Sequence, residues 1–335
     1  MNVAIVHQDK NIVALLEFIL ADCGYQVAWH CDNTAQVLQQ CRLNHPDLLL
    51  IQNQLDGKNC SQLIKQIMQQ VTTTVIVITE SIDNNHASIF EAMSAGALDA
   101  IIEPHSDNTQ LIYELRKKIQ NIYSLQTGLA AKPTTTEKIR KNKPRNQIPL
   151  IAIGVSTGGP DALVKVLSSL PATLPASIVI IQHLDVQFSQ GMAKWLNKEI
   201  KMNVKLAEAG ETPEANTVYL AATNDHLILN SDSYFEYTVN PQAYPYRPSV
   251  DVFFESILKY WSNNILAILL TGMGRDGADG LLSLHRQGIK TIAQDESSCA
   301  VFGMPKAAIE NKAVEEICPL GDISNKILEF IEKGF

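Results

Sequence analysis

The sequence predicts an α/β protein made of two parallel-sheet domains joined by a linker. Three observations carry this. Short apolar runs alternate with helix-spaced patterns over residues 1–123, the alternation lapses over 124–147, and it resumes over 148–335. A chain of 335 residues has room for two full cores, because single domains cluster near ~100–150 residues. Hydrophobic residues make up 46% and charged ones 19%, a globular composition, and the formal net charge is −8. That charge argues against nucleic acid as a partner, since a phosphate-binding surface needs a cationic excess. No apolar run approaches the ~20 residues of a membrane span. Met1-Asn2-Val3-Ala4-Ile5-Val6 leads straight into a strand without a basic leader, so a cytoplasmic protein with no stable membrane insertion is expected. Six cysteines (Cys23, Cys31, Cys41, Cys60, Cys299, Cys318) are scattered without a C-x-x-C pair and read as reduced structural thiols.

In the first domain the strands expected are Val3–Val6, Leu48–Ile51, Val75–Ile78 and Leu98–Ile102. The helices expected between and after them are Ile12–Ala21, Ser61–Met68, Ala87–Ala95 and Leu111–Ile122. Such alternation indicates a parallel sheet covered on both faces. Pro46-Asp47-Leu48-Leu49-Leu50-Ile51, Glu91-Ala92-Met93-Ser94-Ala95-Gly96-Ala97-Leu98-Asp99 and Glu103-Pro104 resemble the response-regulator receiver domain, a flavodoxin-like fold. Set against that family the chemistry is missing. His7 and Gln8 stand where receivers carry a Mg²⁺-binding acidic pair, Gln52 stands at the phosphoacceptor aspartate, and Glu103 replaces the lysine that neutralises the phosphoryl group. Thr79 is retained, and Asp9 and Asp56 lie one or a few positions away from the lost acids. No phosphoacceptor is therefore expected, and the domain reads as a docking or covering module. Residues 124–147 carry Lys138, Arg140, Lys141, Lys143, Arg145 and two prolines, which describes a flexible basic linker.

The second domain, 148–335, opens on Leu150-Ile-Ala-Ile-Gly-Val-Ser-Thr-Gly-Gly-Pro160, an apolar run that stops at small residues around one hydroxyl. A buried strand, a tight turn and a helix starting near Pro160 would lift Ser156 off a sheet edge and aim helix amides at whatever it attacks. Gly154-x-Ser156-x-Gly158 matches the nucleophile-elbow spacing, and the same spacing also fits a glycine-rich turn that holds phosphate. Further strands are expected at Ser177–Gln182, Val204–Ala207, Val218–Ala221, Ile265–Leu270 and Thr291–Ala293. Helices are expected at Phe188–Glu199, Val250–Trp261, Ala278–Gln287, Pro305–Ile309 and Ile323–Ile331, which makes a doubly wound, Rossmann-like domain. His183 and Asp276 each follow a strand, so both join Ser156 on the carboxyl rim where such sheets place their chemistry.

Ser156, His183 and Asp276 make chemical sense as nucleophile, base and orienter, with amides of the Gly272-Met273-Gly274 turn facing a developing oxyanion. The chain order Ser, His, Asp departs from the Ser, Asp, His of α/β-hydrolases. A competing reading is an NAD-binding dehydrogenase. Gly272-x-Gly274-x-x-Gly277 follows a strand, opens a helix and has Asp295 about twenty residues on, although Asp276 inside the turn would repel a pyrophosphate. A catalytically silent signalling scaffold is the third alternative.

Ile153-Gly-Val-Ser-Thr-Gly-Gly159, Ile181-Gln182-His183, Arg247-Pro248-Ser249-Val250-Asp251, Leu270-Thr-Gly-Met-Gly-Arg-Asp-Gly277 and Phe302-Gly-Met-Pro305 resemble, in order, the motifs of the CheB family of protein-glutamate methylesterases. The resemblance implies hydrolysis of γ-glutamyl methyl esters on methyl-accepting chemotaxis receptors, with release of methanol and deamidation of certain glutamines. It implies Thr157, the Met273 amide and Arg247 as groups near the ester, no cofactor or metal, and a chemotaxis histidine kinase or other chemosensory proteins as partners. It also implies a receiver that covers the active-site rim until phosphorylated. A cover that cannot be released by phosphorylation must be weak or must yield to a partner, or the intact triad would be pointless. Deletion of residues 1–146 is therefore expected to change the basal esterase rate by less than about tenfold, or a protein partner to give the same gain. Full-length protein that is silent with phosphodonor and partners, yet strongly active once truncated, would contradict this.

Overall fold

The computed structural model describes residues 1–81, 85–105, 108–126, 148–244, 246–261 and 264–332. The chain divides into two compact units, Met1–Leu129 and Ala130–Phe335. Most of the segment expected as a linker, 127–147, lies outside the described residues, while 124–126 continue the preceding helix.

The first unit runs β1 (Asn2–Val6), α1 (Lys10–Asp22), β2 (Gln26–Cys31), α2 (Thr34–Leu43), β3 (Leu48–Gln52), a two-residue hairpin β4 (Gln54–Leu55) and β5 (Lys58–Asn59), α3 (Ser61–Gln70), β6 (Thr74–Thr79), α4 (His86–Ser94), β7 (Asp99–Ile102) and α5 (Thr109–Gln126). Its sheet has the order β2-β1-β3-β6-β7, and every pair is parallel. The interior strands are buried along their length because helices cover both faces. The sequence reading overlooked β2 and α2. β2 is an edge strand of alternating exposure, and α2 buries only Val37 and Cys41, so neither carries a continuous apolar run.

The second unit runs β8 (Leu150–Val155), α6 (Gly159–Leu167), β9 (Ser177–Gln182), α7 (Val186–Glu199), β10 (Asn203–Leu206), β11 (Thr217–Leu220), β12 (His226–Leu229), β13 (Phe235–Thr238), α8 (Val250–Tyr260), β14 (Ile265–Leu269), α9 (Ala278–Arg286), β15 (Lys290–Gln294), α10 (Met304–Glu310), β16 (Glu316–Cys318) and α11 (Ile323–Glu332). Seven parallel strands lie in the order β10-β11-β9-β8-β14-β15-β16. Strand order moves outward from β8 in one direction through β9 and in the other through β14, so the switch point of the sheet falls at β8. Alternate residues of the central strands face a core completed by Phe253, Phe254 and Ile257 of α8, Leu281 and Leu284 of α9, and Leu227, Leu229 and Phe235 of the β12–β13 hairpin. That hairpin and β16 were not expected from the sequence. Both are short, and the hairpin interrupts the strand–helix alternation from which the rest was read.

The carboxyl rim of the first sheet collects the residues that depart from the receiver pattern. Gln52 Oε1 accepts the Gln8 amide at 3.0 Å, and Gln8 Nε2 donates to Asp56 Oδ1 at 3.3 Å. Asp56 Oδ2 also accepts the amide and hydroxyl of Thr34 at 3.1 and 2.9 Å, and these bonds hold its carboxyl below the usual range. Asp9 caps α1 by accepting the Asn11 amide at 2.7 Å. His7 Nδ1 accepts the Asp9 amide at 3.1 Å, so Nε2 carries the proton and faces the buried Glu103 Oε2 at 3.4 Å. Gln52 thus spends its oxygen on a backbone amide, and both nearby aspartates are occupied. Acetyl phosphate is expected to leave the first unit unlabelled. Acid-resistant, hydroxylamine-sensitive phosphate on Asp9 or Asp56 would overturn that expectation.

Candidate active site

Ser156, His183 and Asp276 are brought to one rim by the neighbouring strands β8, β9 and β14. Val155 and Gln182 are register partners, so Ser156 and His183 are the next residues on adjacent parallel strands. The turn after β8 is tight. Gly159 donates to the Ser156 carbonyl at 2.8 Å, and Gly158 has a φ of 76°, a left-handed conformation that glycine adopts without strain. The Ser156 amide donates to the Thr271 carbonyl at 3.0 Å, which ties the turn to the loop leaving β14. A Cβ on Gly272 would stand 2.7 Å from Ser156 Cβ, so only glycine lets the two loops approach. The sequence reading expected a hydroxyl lifted clear of the sheet; instead this loop packs over Ser156 and leaves it 1% exposed.

Gln182 was quoted in a motif without a role. Its Nε2 donates to the carbonyls of both Ser156, at 3.1 Å, and His183, at 3.2 Å. One buried side-chain amide therefore fixes the spacing of the two strand ends.

His183 Nε2 lies 2.7 Å from Asp276 Oδ2. The carboxylate takes three more bonds: the Ser249 hydroxyl at 2.7 Å and the Asp251 amide at 3.2 Å on Oδ1, and the Val250 amide at 2.7 Å on Oδ2. Ser249 is the N-cap of α8, so Asp276 sits against the amides and positive dipole end of that helix. Burial alone would raise its pKa, but the bonds from His183, Ser249 and Val250 outweigh burial and hold it below the carboxylate range. The neighbouring Asp251 goes the other way, pushed up by burial and by the charge of Asp276, and its Oδ1 accepts the Gly280 amide at 2.7 Å. Of the two carboxyls, the one that ionises more readily is therefore the one that faces His183.

With Nε2 donating to Asp276, His183 Nδ1 is the nitrogen left to accept a proton. Nδ1 of His183, Oγ of Ser156 and Oγ1 of Thr157 are all buried with no hydrogen-bond partner among the described residues. The Tyr246 ring stacks on the His183 imidazole, with centroids 4.3 Å apart and planes inclined by 16°. Met273 lies in the loop that joins β14 to Asp276, next to Gly272. Arg247 stands between Tyr246 and α8, with its Nη1 3.9 Å from Asp225 Oδ1. Sequence reasoning missed Tyr246, which sits in a loop with no periodicity. It quoted Ser249 only within a motif, although a serine followed by Val-Asp at a helix start is a legible cap.

The glycine pattern 272-x-274-x-x-277 does not form a dinucleotide cradle. Asp276 stands inside the turn, the amide of Gly280 in the first turn of α9 is taken by Asp251, and Asp295 is engaged by Ser297 and Ser298 of its own turn. A pyrophosphate there would meet a buried carboxylate in place of free amides. Among the described residues no group of His, Cys, Asp and Glu is arranged to hold a metal ion. No described helix is long and apolar enough to cross a membrane.

Residues 151–327 match the model of the CheB methylesterase family, and residues 3–116 match that of the response regulator receiver domain. A protein-glutamate methylesterase/protein-glutamine glutaminase of Cupriavidus metallidurans is 40% identical over 98% of this chain and 98% of its own. The enzyme of that name from the group 3 operon of Pseudomonas putida is 40% identical over 99% of this chain and 100% of its own. The crystal structure of the Thermotoga maritima CheB methylesterase catalytic domain superposes with a TM-score of 0.51 at 33% identity, covering 55% of this chain and 98% of that one. With matching motifs, domain order and near-complete mutual coverage, the chain belongs to the CheB family of response-regulator methylesterases.

Proposed function

We propose that this protein is a protein-glutamate methylesterase that removes methyl groups from glutamate γ-methyl esters of chemoreceptors by a serine-hydrolase route, and that it deamidates glutamines presented in the same way. The observation that carries the reading is the hydrogen-bond pattern of His183. Asp276 holds Nε2, and Nδ1 is left as a base beside the strand end that bears Ser156. In the forward step His183 Nδ1 takes the Ser156 proton as Oγ attacks the ester carbonyl, and the imidazolium is stabilised by Asp276. The same proton is then delivered to the departing methoxide, which leaves as methanol. Water, deprotonated by His183, hydrolyses the acyl-enzyme and returns the glutamate carboxylate. An amide substrate follows the same path with ammonia leaving, so esterase and glutaminase activities need one site only.

The alignment of charge supports this direction of proton flow. Asp276 stays ionised through four donors, so it can stabilise His183 when positive without becoming protonated itself. Thr157 and the Met273 amide are assigned to the oxyanion or ester region, and the buried hydroxyl of Thr157 is consistent with that place. Arg247 is assigned to the cleft border, where its charge suits carboxylates on an acidic receptor helix. The cytoplasmic face of such receptors is the setting this activity requires, with a chemotaxis kinase or other chemosensory proteins as further partners. The expected domain limits, 1–123 and 148–335, enter the proposal with the first domain extended to Gln126, where α5 ends.

Ser156→Ala is expected to abolish methanol release from methylated receptor fragments while thermal unfolding stays close to wild type, because the change removes one hydroxyl that has no hydrogen bond. Wild-type rates in a folded Ser156→Ala protein would sink the assignment. Asp276→Asn is expected to retain only a weak residual rate and to unfold at lower temperature. An amide group set at either oxygen would point a donor at a donor, against His183 and Val250 at Oδ2 or Ser249 and Asp251 at Oδ1. Unchanged rate and stability in that variant would show that the carboxylate does not orient His183.

A further inference from the structure

A second histidine holds the other end of this hydrogen-bond chain. His226 begins β12 and is wholly buried. Its Nδ1 accepts the Ser249 amide at 3.1 Å. An acceptor at Nδ1 leaves the proton on Nε2, which donates to the Pro241 carbonyl at 3.1 Å. The Tyr244 ring meets the imidazole edge-on, with centroids 5.8 Å apart. The imidazole thus pins the backbone of the residue that caps α8. That residue's hydroxyl donates to Asp276 Oδ1, while the next two amides close on the same carboxylate.

We infer that His226 is a positioning residue for the hydrolytic site, one that sets Asp276, and through it His183, by holding the Ser249 amide. The inference rests on the serine-hydrolase reading but goes beyond it, since nothing about the triad requires a second imidazole two links away. The geometry also dictates a protonation state. A proton on Nδ1 would face the Ser249 N–H donor to donor and push the cap away from Asp276. Burial holds the His226 pKa below the usual range, and Arg247 adds to this, while the Pro241 carbonyl, Asp276 and Asp225 act the other way. Neutral His226 is accordingly part of the working state.

Asparagine and glutamine divide the two bonds of the imidazole between them. His226→Asn places an acceptor near Nδ1 and gives up the Pro241 bond, whereas His226→Gln reaches Pro241 and gives up the Ser249 bond. Each loses one buried hydrogen bond, so a merely structural role would move both variants alike. The full-length protein is assayed three ways: methanol release from methylated receptor fragments, the rate at which a fluorophosphonate labels Ser156, and thermal unfolding. His226→Gln is expected to lower kcat about 10–100-fold with KM within about twofold, and to slow labelling in parallel. His226→Asn is expected to keep at least about a third of the wild-type kcat. Equal losses in the two variants, or a His226→Gln protein at wild-type rate, would overturn the inference. Should wild type be labelled at Ser156 yet release no methanol, the substrate reading fails while the labelling comparison still decides the role of His226. If either variant does not fold, ¹⁵N shifts of the wild-type imidazole decide instead. A neutral Nε2–H tautomer across the active pH range is expected, and an Nδ1–H tautomer or a protonated ring would overturn the proposal.

Discussion

The second unit is organised around a buried carboxylate that has to stay charged. Removing Asp276 from water is costly unless its lone pairs find donors, and the fold supplies four, one from His183 and three from the start of α8. Two are the first amides of α8, which would otherwise lack partners, so the helix end and the acid satisfy each other. The acid reaches them because Gly277, with φ of 89°, lets the chain turn from Asp276 into α9, and because a Cβ there would collide with Val250 and Leu269. The same close approach needs Gly154 in β8, whose missing side chain makes room for Val250. Glycines that resemble a phosphate loop in sequence are here spacers that let a helix end and two strand ends meet.

Two aspartates five-and-twenty residues apart divide the labour at that helix end. Asp251 lies in the first turn of α8 and faces α9; Asp276 lies before α9 and faces α8. Each carboxyl takes a backbone amide from the other's helix, so the exchange locks α8 to α9. Burial and the charge of Asp276 push Asp251 up, while the bonds from His183, Ser249 and Val250 hold Asp276 down against its own burial. A static helix pair and a polarised histidine are two results of the same hydrogen bonds.

Much of this was legible in the sequence. Long apolar runs such as Ile178–Ile181 and Ile265–Leu269 mark buried parallel strands, and whatever follows each of them falls on the functional rim, which is how Ser156, His183 and Asp276 were found together. What stayed hidden has a common cause. The hairpin of β12 and β13 is four residues a side and has no helix between its strands, so alternation does not reveal it, and His226 on its first position looks like any polar residue in a loop. Tyr246 and Gln182 act through ring stacking and bonds to carbonyls across the rim, contacts that link strands distant in sequence and leave no local pattern. The dinucleotide pattern misled because spacing records where glycines are needed without recording what approaches them.

The polar rim of the first unit has a consequence for reversibility. Its residues are tied together: Gln52 accepts the Gln8 amide, the Gln8 side chain donates to Asp56, Asp56 accepts from Thr34, and His7 Nε2 faces Glu103 Oε2 at 3.4 Å. Exchanging Gln52 alone for aspartate would shorten the side chain, release the Gln8 amide and set a new carboxylate near a rim that offers Glu103 where a cation should be. Replacing Glu103 alone by lysine would bring a buried positive charge against the protonated nitrogen of His7. Each of these two exchanges breaks a partnership of the rim before a new one exists, so neither alone turns this network into an acidic pocket.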